Sequence, residues 1–227
     1  MMVAPANIGR DPSAPALTSF DVLQASGTVL HAHHQRLLTG DTLSTTRDLA
    51  DFVHCLCNLY ACHPTMIETA LGRVGAGGQR DWMMQSVTAF EHERHFLVSL
   101  TAAVGPLPST SGAAQTENAL KSQRHAIETL GRSERNGCAL GSAAALVADW
   151  SAMRLLLNRV AERQGLDEPE CSLPDDGAGK ALAQTVDGMA QSRAFAFGAE
   201  QLLLQHRGLF DLLEARAAAR DKVDGLA

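Results

Sequence analysis

Residues 137–164 constrain this chain more than any other stretch. From Gly137 to Trp150 the text reads GCALGSAAALVADW, which is apolar on nearly every helical face rather than along one stripe. A helix of that kind has no side left for water, so it belongs at the centre of a bundle. Ala139, Ala143, Leu146, Trp150, Met153 and Leu157 line one face, and Leu140, Ala144 and Val147 line the next. The many Ala and Gly residues let neighbouring backbones approach closely. Asp149 and Arg154 interrupt the stretch before it reaches the ~20 apolar residues that a bilayer span needs.

The rest of the chain supplies the neighbours. Of 227 residues, 45% are hydrophobic but only 4% aromatic. A core built from Leu, Ala, Val and Met suits packed helices, whereas sandwiches and barrels need aromatic and β-branched strands. The apolar fraction is too high for a disordered chain. Helical spacing and punctuation predict stretches at about 19–38, 44–60, 80–104, 113–131, 137–164 and 180–219. A capping box, Thr65 with Glu68, starts a short helix through Leu71. Gly188 and Gly198 are candidate bends in the last stretch. Residues 1–18 read as a poorly ordered arm, 165–179 as an acidic Pro/Gly loop, and 221–227 as a frayed tail. The expected fold is all-α: a single-domain antiparallel bundle of about six main helices spanning residues 19–220.

Charge and cysteine usage exclude several classes. The formal charge is −6, and no basic run exceeds two residues, so a nucleic-acid footprint is absent. The five cysteines are odd in number and contain no C-x-x-C, which predicts free thiols acting as small hydrophobes. The first residues lack a basic segment followed by an apolar one, so no secretory signal is expected. A reducing cytoplasm is the consistent address, with no membrane partner.

In a helical bundle, chemistry is built from polar side chains that break apolar stripes. Glu91 and His95 stand at i, i+4 on a face with Met84, Val87 and Val98, within the densest titratable run, Glu91-His92-Glu93-Arg94-His95. A carboxylate and an imidazole so spaced can address one metal ion or one proton; the plain alternative is a solvated helical pair. Asp149 lies in the most apolar helix and must be buried or paired, with Arg94 or Arg154 as structural partners. His34 interrupts the Leu30–Leu37 stripe, and His206 interrupts Leu203–Phe210. Each alone reads as a satisfied core histidine; with Glu91, His95 and Asp149 they form the candidate metal or small-molecule set. His54 shares a face with Arg47 and Asp51 and is expected to be exposed, as is His125. His63, before Pro64, reads as a helix-end hydrogen bonder.

Missing motifs narrow the choice. No Glu has His three residues later, so a carboxylate-bridged di-iron site lacks its signature. H-E-x-x-H, G-x-S-x-G, the P-loop and G-x-G-x-x-G are also absent. A DNA-reading helix pair should be basic and turn-rich, whereas residues 19–60 are neutral to His-rich.

In length, helix count and inward His and Glu, the chain loosely resembles the ferritin-like and the heme oxygenase/TENA-like bundles. The second resemblance implies a heme-iron ligand near the N-terminus, at His31 or His34. The segments His63-Pro64, Gly105-Pro106-Leu107-Pro108, Gln123-Arg124-His125 and Gly137-Cys138-Ala139-Leu140-Gly141 are similar to an uncharacterised bacterial all-helical family, which implies no function. Three readings therefore stand. The first is a helical-bundle protein without assignable activity, self-associating as a homodimer. The second is a bundle binding a transition metal or small molecule. The third binds heme.

Overall fold

The computed structural model describes residues 26–225. Among them a 3-10 turn, Thr28–Leu30, precedes eight α-helices: α1 (Ala32–Thr39), α2 (Leu43–Tyr60), α3 (Met66–Leu71), α4 (Gly78–Ala103), α5 (Ala113–Gly131), α6 (Cys138–Gln164), α7 (Asp176–Gln184) and α8 (Gly188–Val223). No described residue is in a strand. The all-α, single-domain bundle of about six main helices is what forms, with α3 and α7 as minor elements. The predicted arm, 1–18, and the start of the first predicted helix lie outside the described residues.

Helix α6 sits at the centre and touches each of the other helices. Its face residues Ala143, Leu146, Trp150, Met153 and Leu157 are completely buried. By length and composition α6 is apolar enough to cross a membrane, yet 83% of its most apolar window is buried inside the bundle. Its closest partner is α8. A Cβ added at Gly141 would overlap the Phe195 carbonyl, and one at Gly198 would overlap the Cys138 carbonyl. Small residues here allow backbone-to-backbone contact that no larger side chain permits.

Local chemistry sets the helix ends. Thr42 with Thr45, and Thr65 with Glu68, form reciprocal capping boxes at the starts of α2 and α3. Gly165 ends α6 in the left-handed conformation at φ 65°, where a side chain would be strained.

Three expectations need correction. The first predicted helix is broken: the chain turns at Thr28, and α1 starts only after His31. Thr28 donates its backbone N–H and hydroxyl to Asp149, and this tertiary contact replaces helical continuation. The last predicted helix is also two, α7 and α8, separated at Thr185–Asp187, with Gly188 at φ 77°. Helix α7 therefore takes over the end of the predicted 165–179 loop. Finally, the bundle is not antiparallel throughout. Pairs α2/α4, α2/α8 and α5/α8 are antiparallel, as the contacts His54–Gly105 with Arg94–Ala61, Asp51–Arg216 with Tyr60–His206, and Arg216–Thr116 with Gln123–Gln205 establish. Helices α6 and α8 run parallel, their contacts stepping from Gly137–Gln191 through Gly141–Phe195 to Asp149–His206. The connection through α7 is long enough to return the chain to the end where α6 began.

Cys55 and Cys138 are buried, as expected of small hydrophobes, and burial pushes the Cys55 thiol up to about 12. Cys62 and Cys171 are exposed instead.

Candidate functional site

Two polar constellations are built inside the bundle and two at its edge. The deepest joins four elements. Asp149 of α6 accepts from the Thr28 backbone N–H at 2.8 Å and from the Thr28 hydroxyl. Its other contact is His206 Nδ1 of α8 at 2.7 Å, and His206 Nε2 meets the Tyr60 hydroxyl of α2 at 2.5 Å. With Nδ1–H donated to the carboxylate, Nε2 is left to accept a hydrogen bond from the Tyr60 hydroxyl. Thr28 and His206 are fully buried, Tyr60 is 3% exposed and Asp149 7%. Burial pushes the Asp149 carboxyl up, but the His206 and Thr28 hydrogen bonds outweigh it and hold the group below its ordinary range. Burial, then the Asp149 charge, raise Tyr60 well above the usual phenol value. The chain of donors is internally satisfied and closed to solvent, so its chemistry is that of a structural clasp across α2, α6, α8 and the 3-10 turn.

Trp150 and Phe90 stand edge-on to Tyr60, with centroids 5.5 and 6.1 Å away. The Trp150 indole donates to Glu93 Oε2 at 2.9 Å, and Arg154 donates to Glu93 Oε1 at 2.5 Å while lying 4.4 Å over the Phe96 ring. Glu93 is 1% exposed. The carboxylate that enters the core from α4 is thus Glu93. It fills the gap between Phe90 and Leu97 in the stripe Met83, Ser86, Phe90, Glu93, Leu97, Leu100, a spacing that the sequence already contained.

The second interior constellation ties α2 to α8. Asp51, completely buried, accepts from Arg216 at 2.7 Å and from Arg220 at 2.7 Å, while Arg220 also reaches Asp48. Thr116 and Thr110 accept from the same guanidinium groups. Asp51, expected on an exposed face with His54, is instead buried against α8, and His54 Nε2 donates to the Gly105 carbonyl at 2.8 Å. Arg216 and Arg220 continue the Leu209–Leu213 stripe at helical spacing, and that continuation was the overlooked signal.

At the surface, Glu91 is clamped by Arg94, at 2.5 and 2.9 Å, and lies 3.2 Å from His95 and 3.5 Å from His63. The Arg94 guanidinium holds the Glu91 carboxyl below its usual range, against a small opposing effect of burial. The Glu91 and His95 side chains are 34% and 66% exposed. The expected interior set therefore separates. His34, Asp149 and His206 gather in the core, where His34 Nε2 meets the Ala152 carbonyl at 2.9 Å. Glu91 and His95 pair on the outside of α4, because the inward positions there belong to Phe90, Glu93 and Leu97. Asp149 is buried and paired as expected, but with His206 and Thr28; Arg154 belongs to Glu93 and Arg94 to Glu91.

The fourth constellation lies where α1, α2 and α8 meet. His31 caps α1, its Nδ1 accepting from the His33 backbone N–H at 3.1 Å. Its Nε2 stands 3.0 Å from Asp211. Arg36 donates to Glu214 at 2.6 Å and approaches His33 Nδ1 at 2.9 Å. One ligand atom from each of His31, Asp211 and Glu214 lies within 4.8 Å of the others. Glu214 also borders a cleft of about 370 Å³ lined by His33, Arg36, Ser44, Asp48 and Asp221. His33 is 2% exposed, and burial together with the Arg36 charge lowers its pKa to about 4. The ring is therefore neutral, and an Arg donor on Nδ1 leaves the proton on Nε2, which has no partner among the described residues.

A comparison with protein families matches residues 23–221 to a family described as a family of unknown function, DUF6975. Neither the comparison with curated proteins nor that with solved structures finds a match.

Proposed function

We propose that this chain, which belongs to the all-helical family of unknown function DUF6975, binds a divalent cation where α1 meets α8, with His31, Asp211 and Glu214 as ligands. The observation that carries this reading is the convergence of one imidazole and two carboxylates, each ligand atom within 4.8 Å of the others. A mixed nitrogen and oxygen set of this kind suits first-row divalent ions. The adjoining cleft supports it, because the buried His33 Nε2–H lacks an acceptor and Asp221 adds negative charge to the wall. The interior clasp takes no part.

Binding has a structural cost that makes it recognisable. A metal on His31 Nε2 requires the ring proton on Nδ1, so the His33 backbone N–H loses its acceptor and α1 loses its cap, at about 1 kcal/mol. Titration of tag-free protein with Mn2+ and with Zn2+ by calorimetry should show one site. The His33 amide resonance should shift on loading. Asp211→Ala and Glu214→Ala should each weaken binding at least tenfold, whereas Glu91→Ala should leave it unchanged. Absence of binding by either ion, or equal binding in Asp211→Ala, overturns the reading; loss in Glu91→Ala alone moves the site to the α4 surface.

A further inference from the structure

Helix α8 turns one long face to solvent. Arg193, Phe197, Glu200, Leu204, Arg207 and Asp211 are all exposed and follow one another at alternating spacings of four and three. That is the seam of a left-handed helix pair, and the inward stripe of α8 already occupies the opposite side. Two large apolar side chains stand on the seam either side of Glu200: Phe197, 42% exposed with the Arg135 guanidinium over its ring, and Leu204, 49% exposed. Beside it, Leu30 is 63% exposed and shares a small cleft with Arg207.

The charges on the seam are complementary under a twofold axis. Among the described residues, Glu200 and Arg207 have no ion-pair partner, although every other acidic group facing the α1/α8 edge has one or a hydrogen-bond donor. They lie too far apart along one face, two turns, to pair with each other. The midpoint between them falls beside Leu204, the exposed member of the Leu203-Leu204 pair. An antiparallel copy centred there sets Leu204 against its own counterpart, with an acidic and a basic residue facing each other on both sides.

We propose that this face of α8 pairs with the same face of a second copy of the chain, antiparallel about a twofold axis at Leu204, with Glu200 of each copy meeting Arg207 of the other. A twofold contact of this type is self-complementary, and each substitution acts twice in it. Asp211, at the end of the seam, is the one proposed cation ligand on this face and takes no part in the Glu200–Arg207 pairs, so dimerisation measured without added metal stands or falls separately.

The decisive experiment is a charge exchange on the full chain. Sedimentation velocity over a concentration series from micromolar to near-millimolar should show reversible dimerisation of the unmodified protein. Glu200→Arg and Arg207→Glu each set like charges together twice, and each should weaken the dimer at least tenfold. The double variant Glu200→Arg/Arg207→Glu restores both pairs with their signs reversed and should recover the dimer. Leu204→Glu should abolish it. All three positions are exposed, and circular dichroism checks that the helical content is unchanged. A monomer throughout the series overturns the proposal. So does a dimer indifferent to the single exchanges, or one that the double exchange fails to restore.

Discussion

His33 shows how one side chain stores pH sensitivity in the fold. In the unfolded chain its imidazole takes a proton near 6.5, whereas in the folded protein burial and Arg36 hold that event down to about 4. The unfolded chain therefore binds more protons between these values, and stability must rise with pH across that window. The loss on acidification is about 2 kcal/mol, after allowance for screening by water in the adjoining cleft. Urea denaturation from pH 7 to pH 4 should show this limb in the unmodified protein and a flatter one in His33→Gln. Equal slopes in the two proteins would contradict it. Asp149 has linkage of the same sign in a more acidic window: its carboxyl is held low, so its contribution is present above the ordinary carboxylate range and is lost as pH falls through its folded value.

Between elements, the contact of α6 with α8 depends on what is missing. Gly141→Ala and Gly198→Ala each place a methyl group against the partner helix's backbone carbonyl, which has no rotamer to relax into. Each should destabilise by about 1–3 kcal/mol despite the helix propensity gained, and the two should not add, because they press on one crossing. Gly208→Ala on the same helix is the contrast. Its new Cβ would meet only the end of the flexible Gln123 side chain, so chemical denaturation should find it neutral or slightly stabilising.

For the whole molecule, the buried ion cluster is the most exposed point of failure. Asp51 is the shared acceptor of Arg216 and Arg220, and the same guanidinium groups tie in α5 and the loop at Thr110. Asp51→Ala leaves Arg216 buried without a counter-ion and Arg220 with Asp48 alone, a loss of about 3–5 kcal/mol. Domains of this kind hold only about 5–15 kcal/mol in total, so thermal melting should move down steeply, and more than for Glu91→Ala on the surface. If the two variants melt alike, the cluster does not carry the weight its burial implies.

What the sequence determined alone was periodic and local. The all-round apolar run at 139–157 placed a helix at the centre, Thr65 with Glu68 capped α3, and Asp149, His34 and His206 were recognised as core groups because each breaks an apolar stripe. Which polar residues meet was not legible. Two residues put Glu91 and Glu93 about 200° apart around their helix, and only the packing of α4 on α6 sends Glu93 to Trp150 and Arg154 while leaving Glu91 to Arg94. Likewise Asp51 looked like a surface residue until α8 brought Arg216 and Arg220 across it. Helical periodicity fixes a side chain's angle about its own axis; the direction from which a neighbour arrives is set by long-range packing, and that is what decides which charge is buried.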